Sequence, residues 1–295
     1  MNRPTVILLI VLVVLGLVAF LIMQKPGERS VIASEGEYFV EMDSIAVDRI
    51  EIGSPAFSVI LEKRGGEWFV ERPVEYRADQ EKVRTLIKNA KNLRVGAIVS
   101  RNPEKQSLFQ VDSSGTVIRI SEKGSVRHSF IVGKMGPGFS DVYVRKENSS
   151  DVFAVDAAIS YDTRRSPKDW RDHAVITVPK ESIAEVTFQY GDTTFALALK
   201  DSAWMIGKDV GNNQSINSVL TALSSLQCDN FLDAPPSPAS KLVATISFNN
   251  IQIRFSQPRG GDSYYAQTST GPQWYELRSW RVDQILKRKK ELLAP

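Results

Sequence analysis

The chain has 295 residues, 42% hydrophobic and 24% charged, which is the balance of ordinary folded protein and enough length for two domains with separate cores. A formal net charge of +3 gives no broad electrostatic case for nucleic acid. Cys228 is the single cysteine, so an internal disulfide is excluded, and with only His128 and His173 beside it the chain offers a poor donor set for zinc.

Val6 to Met23 is an unbroken apolar run with Gly16 as its only non-hydrophobic member. As a helix it reaches ~27 Å, close to the ~30 Å hydrocarbon core of a bilayer. Its backbone can satisfy itself in lipid only in that form. A cleaved signal peptide is the competing reading. The run is long for a signal, however, and Gln24-Lys25-Pro26-Gly27 follows it where a small-residue cleavage site would stand. Residues 1–24 are therefore expected to be an uncleaved transmembrane anchor in an inner or plasma membrane. The flanking charges, Arg3 before and Lys25 and Arg29 after, nearly balance. The short basic head before the run resembles an export signal and puts the expected body outside the cytoplasm. Residues 25–42 are polar and mixed, a juxtamembrane linker.

A stretch that recurs organises the rest. Ser44-Ile45-Ala46 opens an alternating run that ends at Trp68, with Phe57 between them; Ser182-Ile183-Ala184 opens another that ends at Trp204, with Phe195 between. In the first copy Ile45, Val47, Ile50 and Ile52 alternate with polar residues, Gly53-Ser54-Pro55 turns the chain, and Phe57, Val59 and Leu61 alternate again. Gly65-Gly66 then leads into Trp68-Phe69-Val70, the pattern of an antiparallel meander with one buried face. Asp79 is placed to cap a helix whose Val83, Leu86, Ile87, Ala90 and Leu93 share one face. Arg84, Lys88 and Lys91 lie off that stripe. They form either a solvated face or a site for a partner or a lipid headgroup.

Short strands follow at Val117–Ile120, Ser129–Val132, Val142–Val144 and Val152–Val155. The glycine-rich Gly133–Gly138 between them lacks the spacing and terminal Lys-Ser/Thr of a phosphate loop and reads as a wide hairpin turn. Tyr161 to Lys168 reads as a charged connector. Trp170-Arg171-Asp172-His173 closes the module as a packed junction or a surface hot spot.

The second copy repeats the scheme. Val186, Phe188 and Tyr190 alternate, Gly191-Asp192 turns, Phe195, Leu197 and Leu199 alternate, and Asn212 or Asn213 caps a helix with Ile216, Val219, Leu220, Leu223 and Leu226 on one face. Its outer face carries Asn217, Ser218, Thr221, Ser224 and Ser225 where the first copy is basic. After the Pro-rich loop Asp233–Ser240, strands are expected at Val243–Phe248, Ile251–Phe255, Tyr264–Ala266 and Trp274–Leu277. Val282, Ile285, Leu286 and Leu293 suggest one closing helix with Lys287 to Lys290 on its solvated side. The expected fold class is α+β: the anchor, then two tandem modules at 43–177 and 178–295, each a mainly antiparallel sheet with one amphipathic helix.

The order of motifs resembles a bacterial domain-of-unknown-function family associated with gliding-motility-type ABC transporter systems. The residues that carry the likeness are Trp68 with Pro73, the capped helix Asp79–Leu93, Val132-Gly133, Tyr143-Val144-Arg145, Val152–Asp156 and Trp170-Arg171-Asp172. The family's aromatic-Gly-Leu-Asp turn is met here only as Phe109-Gln110-Val111-Asp112, which departs at Gln110 and Val111. The resemblance implies an accessory role beside a transporter permease or its companion subunits, with no catalytic residue and no cofactor.

No reactive constellation stands out, so the expected function is a membrane-anchored extracytoplasmic accessory or scaffold protein that is not an enzyme. The alternative is an envelope carbohydrate or peptidoglycan binder that stacks sugar on Trp274, Tyr264 or Tyr265. A hydrolase would need a dyad such as Asp172 with His173 to be completed in the fold. The candidate interaction residues are Arg84, Lys88, Lys91, Trp170, Arg171, Tyr264 and Trp274.

Overall fold

Alternating burial along the strands builds two separate cores in this computed structural model, which describes residues 14–15, 36–191, 193–237, 240–258 and 261–294. The expected anchor over 1–24 lies, but for residues 14–15, outside the described residues. No helix among the described residues is long and apolar enough to cross a membrane. The chain divides into two compact units, the first ending at Arg171 and the second beginning at Asp172.

The first unit contains β1 (Val47–Gly53), β2 (Ser58–Arg64), β3 (Glu67–Arg72), β4 (Tyr76–Arg77), helix α1 (Gln80–Lys91), β5 (Ile98–Ser100), helix α2 (Gln106–Phe109), β6 (Thr116–Glu122), β7 (Ser125–Met135), β8 (Asp141–Lys146), β9 (Val152–Asp156) and helix α3 (Ala158–Thr163). The second contains β10 (Glu185–Tyr190), β11 (Thr193–Lys200), β12 (Ala203–Ile206), β13 (Asp209–Val210), helix α4 (Asn213–Ser224), β14 (Asn230–Leu232), β15 (Lys241–Phe248), β16 (Ile251–Gln257), β17 (Ser263–Thr268), β18 (Trp274–Arg278), helix α5 (Ser279–Ile285) and helix α6 (Lys289–Leu292). Among the described residues each unit holds one nine-stranded sheet. The orders are β4-β3-β2-β1-β6-β7-β8-β9-β5 and β13-β12-β11-β10-β15-β16-β17-β18-β14, which are the same topology twice, and all recorded pairings are antiparallel. The two tandem modules are thus present as one repeated sheet-and-helix frame.

In the first unit α1 covers one face of the sheet. Its Val83, Leu86, Ile87 and Ala90 share a core with Ile50 and Ile52 of β1, Leu61 of β2, Ile120 of β6 and Phe130 of β7. Asp79 caps the helix by accepting from the backbone N–H of Glu81 and Lys82, and Asn212 does the same for α4 through Gln214 and Ser215. The buried stripe of α4 is Ile216, Val219, Leu220 and Leu223, the spacing of α1 repeated. Val47 and Ile50 of β1 are both buried despite their odd separation, because the register with β6 shifts between Val47 and Arg49 and the extra residue returns Ile50 to the core face.

The two copies are closed in the same way. At the helix start, the Asp79 N–H donates to the Trp170 carbonyl and the Asn212 N–H to the Leu292 carbonyl, both at 2.8 Å. At the helix end a leading strap runs alongside: Phe39 N–H donates to Leu93 O, and Val175 N–H donates to Leu226 O. Phe39, Val40 and Met42 are buried, so residues 36–42 belong to the folded unit and are not spacer.

Strand register corrects the tripeptide match. Ile52 pairs with Val59 as Phe188 pairs with Phe195, and Lys63 pairs with Trp68 as Leu199 pairs with Trp204. The counterpart of Phe195 is therefore Val59, while Phe57 lies in the turn before β2, and the counterpart of Ile183 is Val47. Ile45, the Ile of the first tripeptide, is 84% exposed. The first hairpins are equally long, seven positions from Ile52 to Val59 and from Phe188 to Phe195, so the two-residue discrepancy lies in the tripeptide match itself. A slip of two residues preserves which face each side chain takes, so alternation cannot detect it.

Three further expectations change. Tyr161 to Lys168 is not a plain connector, because α3 runs to Thr163 and buries Asp162 and Thr163. The single closing helix is two: α5 stops at Ile285, and α6 buries Leu292 rather than Leu293. Gly133 stands within β7, against the carbonyl of Phe109 where no Cβ fits, and the turn begins at Gly136.

Candidate functional site

The basic face of α1 borders a groove of about 520 Å³ in the first unit. Its floor is Trp68 and Ile87, both buried members of the core. Gln80 holds the two walls together: its side-chain amide donates to the Trp68 and Ala78 carbonyls and its oxygen accepts from the Trp68 N–H. Lys63 enters from β2, where it is the cross-strand partner of Trp68. Arg84, Lys88 and Lys91 follow one another along α1, each exposed. Gly66 and Ser44 complete the rim, with Lys91 Nζ 3.5 Å from the Ser44 hydroxyl.

Among the described residues no carboxylate lines this groove. Arg84 is paired with Glu81 on its outer side, and the sheet carboxylates nearby turn to other cations: Glu62 to Arg64 and Glu67 to Arg77. With Arg84 compensated by Glu81, the lysines Lys63, Lys88 and Lys91 still repel one another at this lip, and an anionic surface relieves that repulsion. The structure thus brings Arg84, Lys88 and Lys91 together and adds Lys63. Sequence patterning alone does not place Lys63 there, since its membership depends on the β2–β3 register. The second unit supplies the contrast, with Leu199, Asn217, Thr221 and Ser224 at the four corresponding positions.

A larger cleft of about 650 Å³ lies beside the leading strap of the first unit, but its charges are mixed: Glu37, Glu41 and Glu147 stand with Arg127 and Lys146. Glu147 is held below the ordinary carboxylate range by hydrogen bonds from Ser129 and Arg119, so it stays ionised and paired.

The remaining candidates are dispersed. Trp170 is fully buried in the first core and Arg171 is 1% exposed, so neither presents a contact surface. Tyr264 stands opposite Leu277 in the β17–β18 ladder, and Trp274 opposite Gln267. Tyr264 and Trp274 thus lie on opposite faces of the sheet and share no stacking platform, whereas Tyr265, opposite Glu276, takes the face of Trp274. Tyr264 takes the face of buried Leu277, and burial raises its pKa. His173 places Nδ1 3.1 Å from the Cys228 carbonyl, and the Cys228 N–H donates to the His173 carbonyl, a strap contact of the second unit. Burial, reinforced by Asp229 and Asp172, pushes the Cys228 thiol up to about 12, which makes it a poor nucleophile.

No group of three or more His, Cys, Asp or Glu side chains suited to a metal ion occurs among the described residues. No curated protein and no solved structure matches the chain. A family model described as "Domain of unknown function (DUF4340)" matches residues 68–244, from β3 of the first unit into β15 of the second. Since that match covers more than half of the sequence, the chain belongs to the DUF4340 family.

Proposed function

We propose that this protein is a non-catalytic scaffold and binding subunit, tethered to a membrane by Val6–Met23 with its body outside the cytoplasm, and that the cationic groove of the first unit docks an acidic surface on a neighbouring component of an ABC transporter system. The observation that carries the reading is the divergence of two equivalent faces. On one frame, Lys63, Arg84, Lys88 and Lys91 gather with no carboxylate among the described lining residues; on its duplicate the same positions are Leu199, Asn217, Thr221 and Ser224. Core packing does not require the difference at Arg84/Asn217 and Lys88/Thr221, which are exposed in both units, whereas Ser224 is buried where Lys91 is exposed. The tether follows from the sequence run, and the transporter association from the family resemblance.

The test places a photo-cross-linking residue at Lys88 of the full chain in living cells. The expected product is an adduct with a permease or companion subunit encoded beside this chain, reduced severalfold by Lys63→Leu with Lys91→Ser and by raised salt. An adduct indifferent to both treatments, or none, overturns the docking role. Protease added to intact spheroplasts is expected to remove the body; full protection overturns its placement.

A further inference from the structure

We infer that the second unit carries a binding site for a neutral, hydroxyl-rich ligand of the carbohydrate class, in the cleft between α4 and α5. The cleft measures about 590 Å³, room for two or three sugar rings. Asn217, Thr221 and Ser225 form one wall, and Trp280 and Gln284 form the other. Among the described residues no carboxylate lines it. Among the described lining residues the cation is Arg281, which Asp229 compensates at 3.1 Å, and at the edge Lys180 Nζ donates to the Asn217 side-chain oxygen at 3.0 Å.

Comparison with the first unit shows that this space is not a by-product of the frame. There α1 and α3 form the corresponding helix pair, and Asn89 fills the gap by donating to the buried Asp162 carboxylate at 2.6 Å. Counting from the two caps, the α4 counterpart of Asn89 is Ala222, whose methyl group leaves the gap open and lines it.

The indole of Trp280 is 53% exposed, an unusual state for so large an apolar group. It is held in place from one side, with the Arg281 guanidinium 4.4 Å from the ring centroid and itself fixed on Asp229. A braced aromatic plane beside amides and hydroxyls suits a sugar, whose C–H face is apolar and whose edge needs hydrogen bonds. An anionic ligand would find Arg281 already compensated by Asp229 and Lys180 held on Asn217, and a purely apolar ligand would strip water from the amides and hydroxyls of the wall without replacing its hydrogen bonds. This site is independent of the cationic groove and of the transporter reading.

Titration calorimetry of the full chain in a non-glycosidic detergent, with chitotriose, cellotriose and maltotriose as probes, tests the inference. At least one trisaccharide is expected to bind. Trp280→Ala should weaken it by about tenfold, as loss of an aromatic anchor does, and Trp280→Phe should recover most of the difference. Ala222→Asn, which restores the side chain of the first unit, should weaken binding while leaving the indole in place. The combined Arg84→Asn, Lys88→Thr and Lys91→Ser variant should bind as the wild type does. Absence of binding by all three sugars, undiminished binding by Trp280→Ala, or a loss that follows the first-unit variant instead overturns the assignment. None of these results bears on the Lys88 cross-link.

Discussion

Asp79 and Asn212 do the same work with different chemistry. Burial alone would raise the pKa of Asp79, but hydrogen bonds from the Lys82 and Glu81 N–H groups and the Lys82 ammonium at 3.2 Å outweigh it and hold the carboxyl below its ordinary value. A depressed carboxyl contributes stability that is present above its unfolded pKa and is lost as pH falls through the folded one. Asp79→Ala should therefore cost the first unit about 1 kcal/mol at neutral pH, and this difference should shrink as the pH drops below the ordinary carboxylate range. Asp79→Asn, which copies the second unit, should keep most of the cap and lose its pH dependence. Denaturant unfolding at pH 7 and at acid pH checks both. Caps and buried stripes were legible in the sequence because they are local: Asp79, Val83 and Leu86 carry their own spacing. The true counterpart of Phe195, Val59, was not, since the tripeptide match is two residues out of register and alternation does not reveal an even slip.

At the scale of single elements, the segment Asn102–Asp112 shows what a polar stretch conceals. A 3₁₀ turn at Pro103–Lys105 runs into α2, and Phe109 from its end meets Tyr143 edge-on at 4.8 Å, covering the outer face of β7 and β8. The helix ends at Gln110, whose φ of 55° lies in the left-handed region that glycine tolerates best. Here the resembled family carries glycine, so the departure leaves the geometry intact and transfers the strain to a side chain. Gln110→Gly should relieve about 1 kcal/mol of backbone strain and return part of it as unfolded-chain entropy, for a net stabilisation of about 0.5 kcal/mol. Thermal unfolding would show a small rise in Tm, and a fall would contradict this account. The short edge strands β5 and β14 and the break between α5 and α6 escaped the sequence reading for a related reason: runs of three or four residues carry too little period to distinguish strand, helix and loop.

For the whole molecule, repetition of topology is the governing fact, and it extends to how each unit is sealed. Trp170 and Leu292 occupy the corresponding closing positions, both fully buried, and their carbonyls accept from the N–H of the caps Asp79 and Asn212, which open α1 and α4 respectively. Trp170→Ala should cost about 3–5 kcal/mol and Leu292→Ala about 2–5 kcal/mol. Each should speed amide hydrogen exchange at its own helix start, Asp79 in one variant and Asn212 in the other; unchanged exchange would show that the seal lies elsewhere. The sequence disclosed the duplication through its two buried helix stripes and the Trp68–Trp204 match. It did not disclose the cationic groove in full or the α4–α5 cleft, because Lys63 and Trp280 reach those places through sheet order and helix packing. In each unit the polypeptide arrives beside the C-terminal end of the central helix and departs beside its N-terminal end. A domain whose inlet and outlet are so separated can be strung like a bead: copying it in tandem leaves every bead complete, and the exterior of each is then free to evolve toward a different guest.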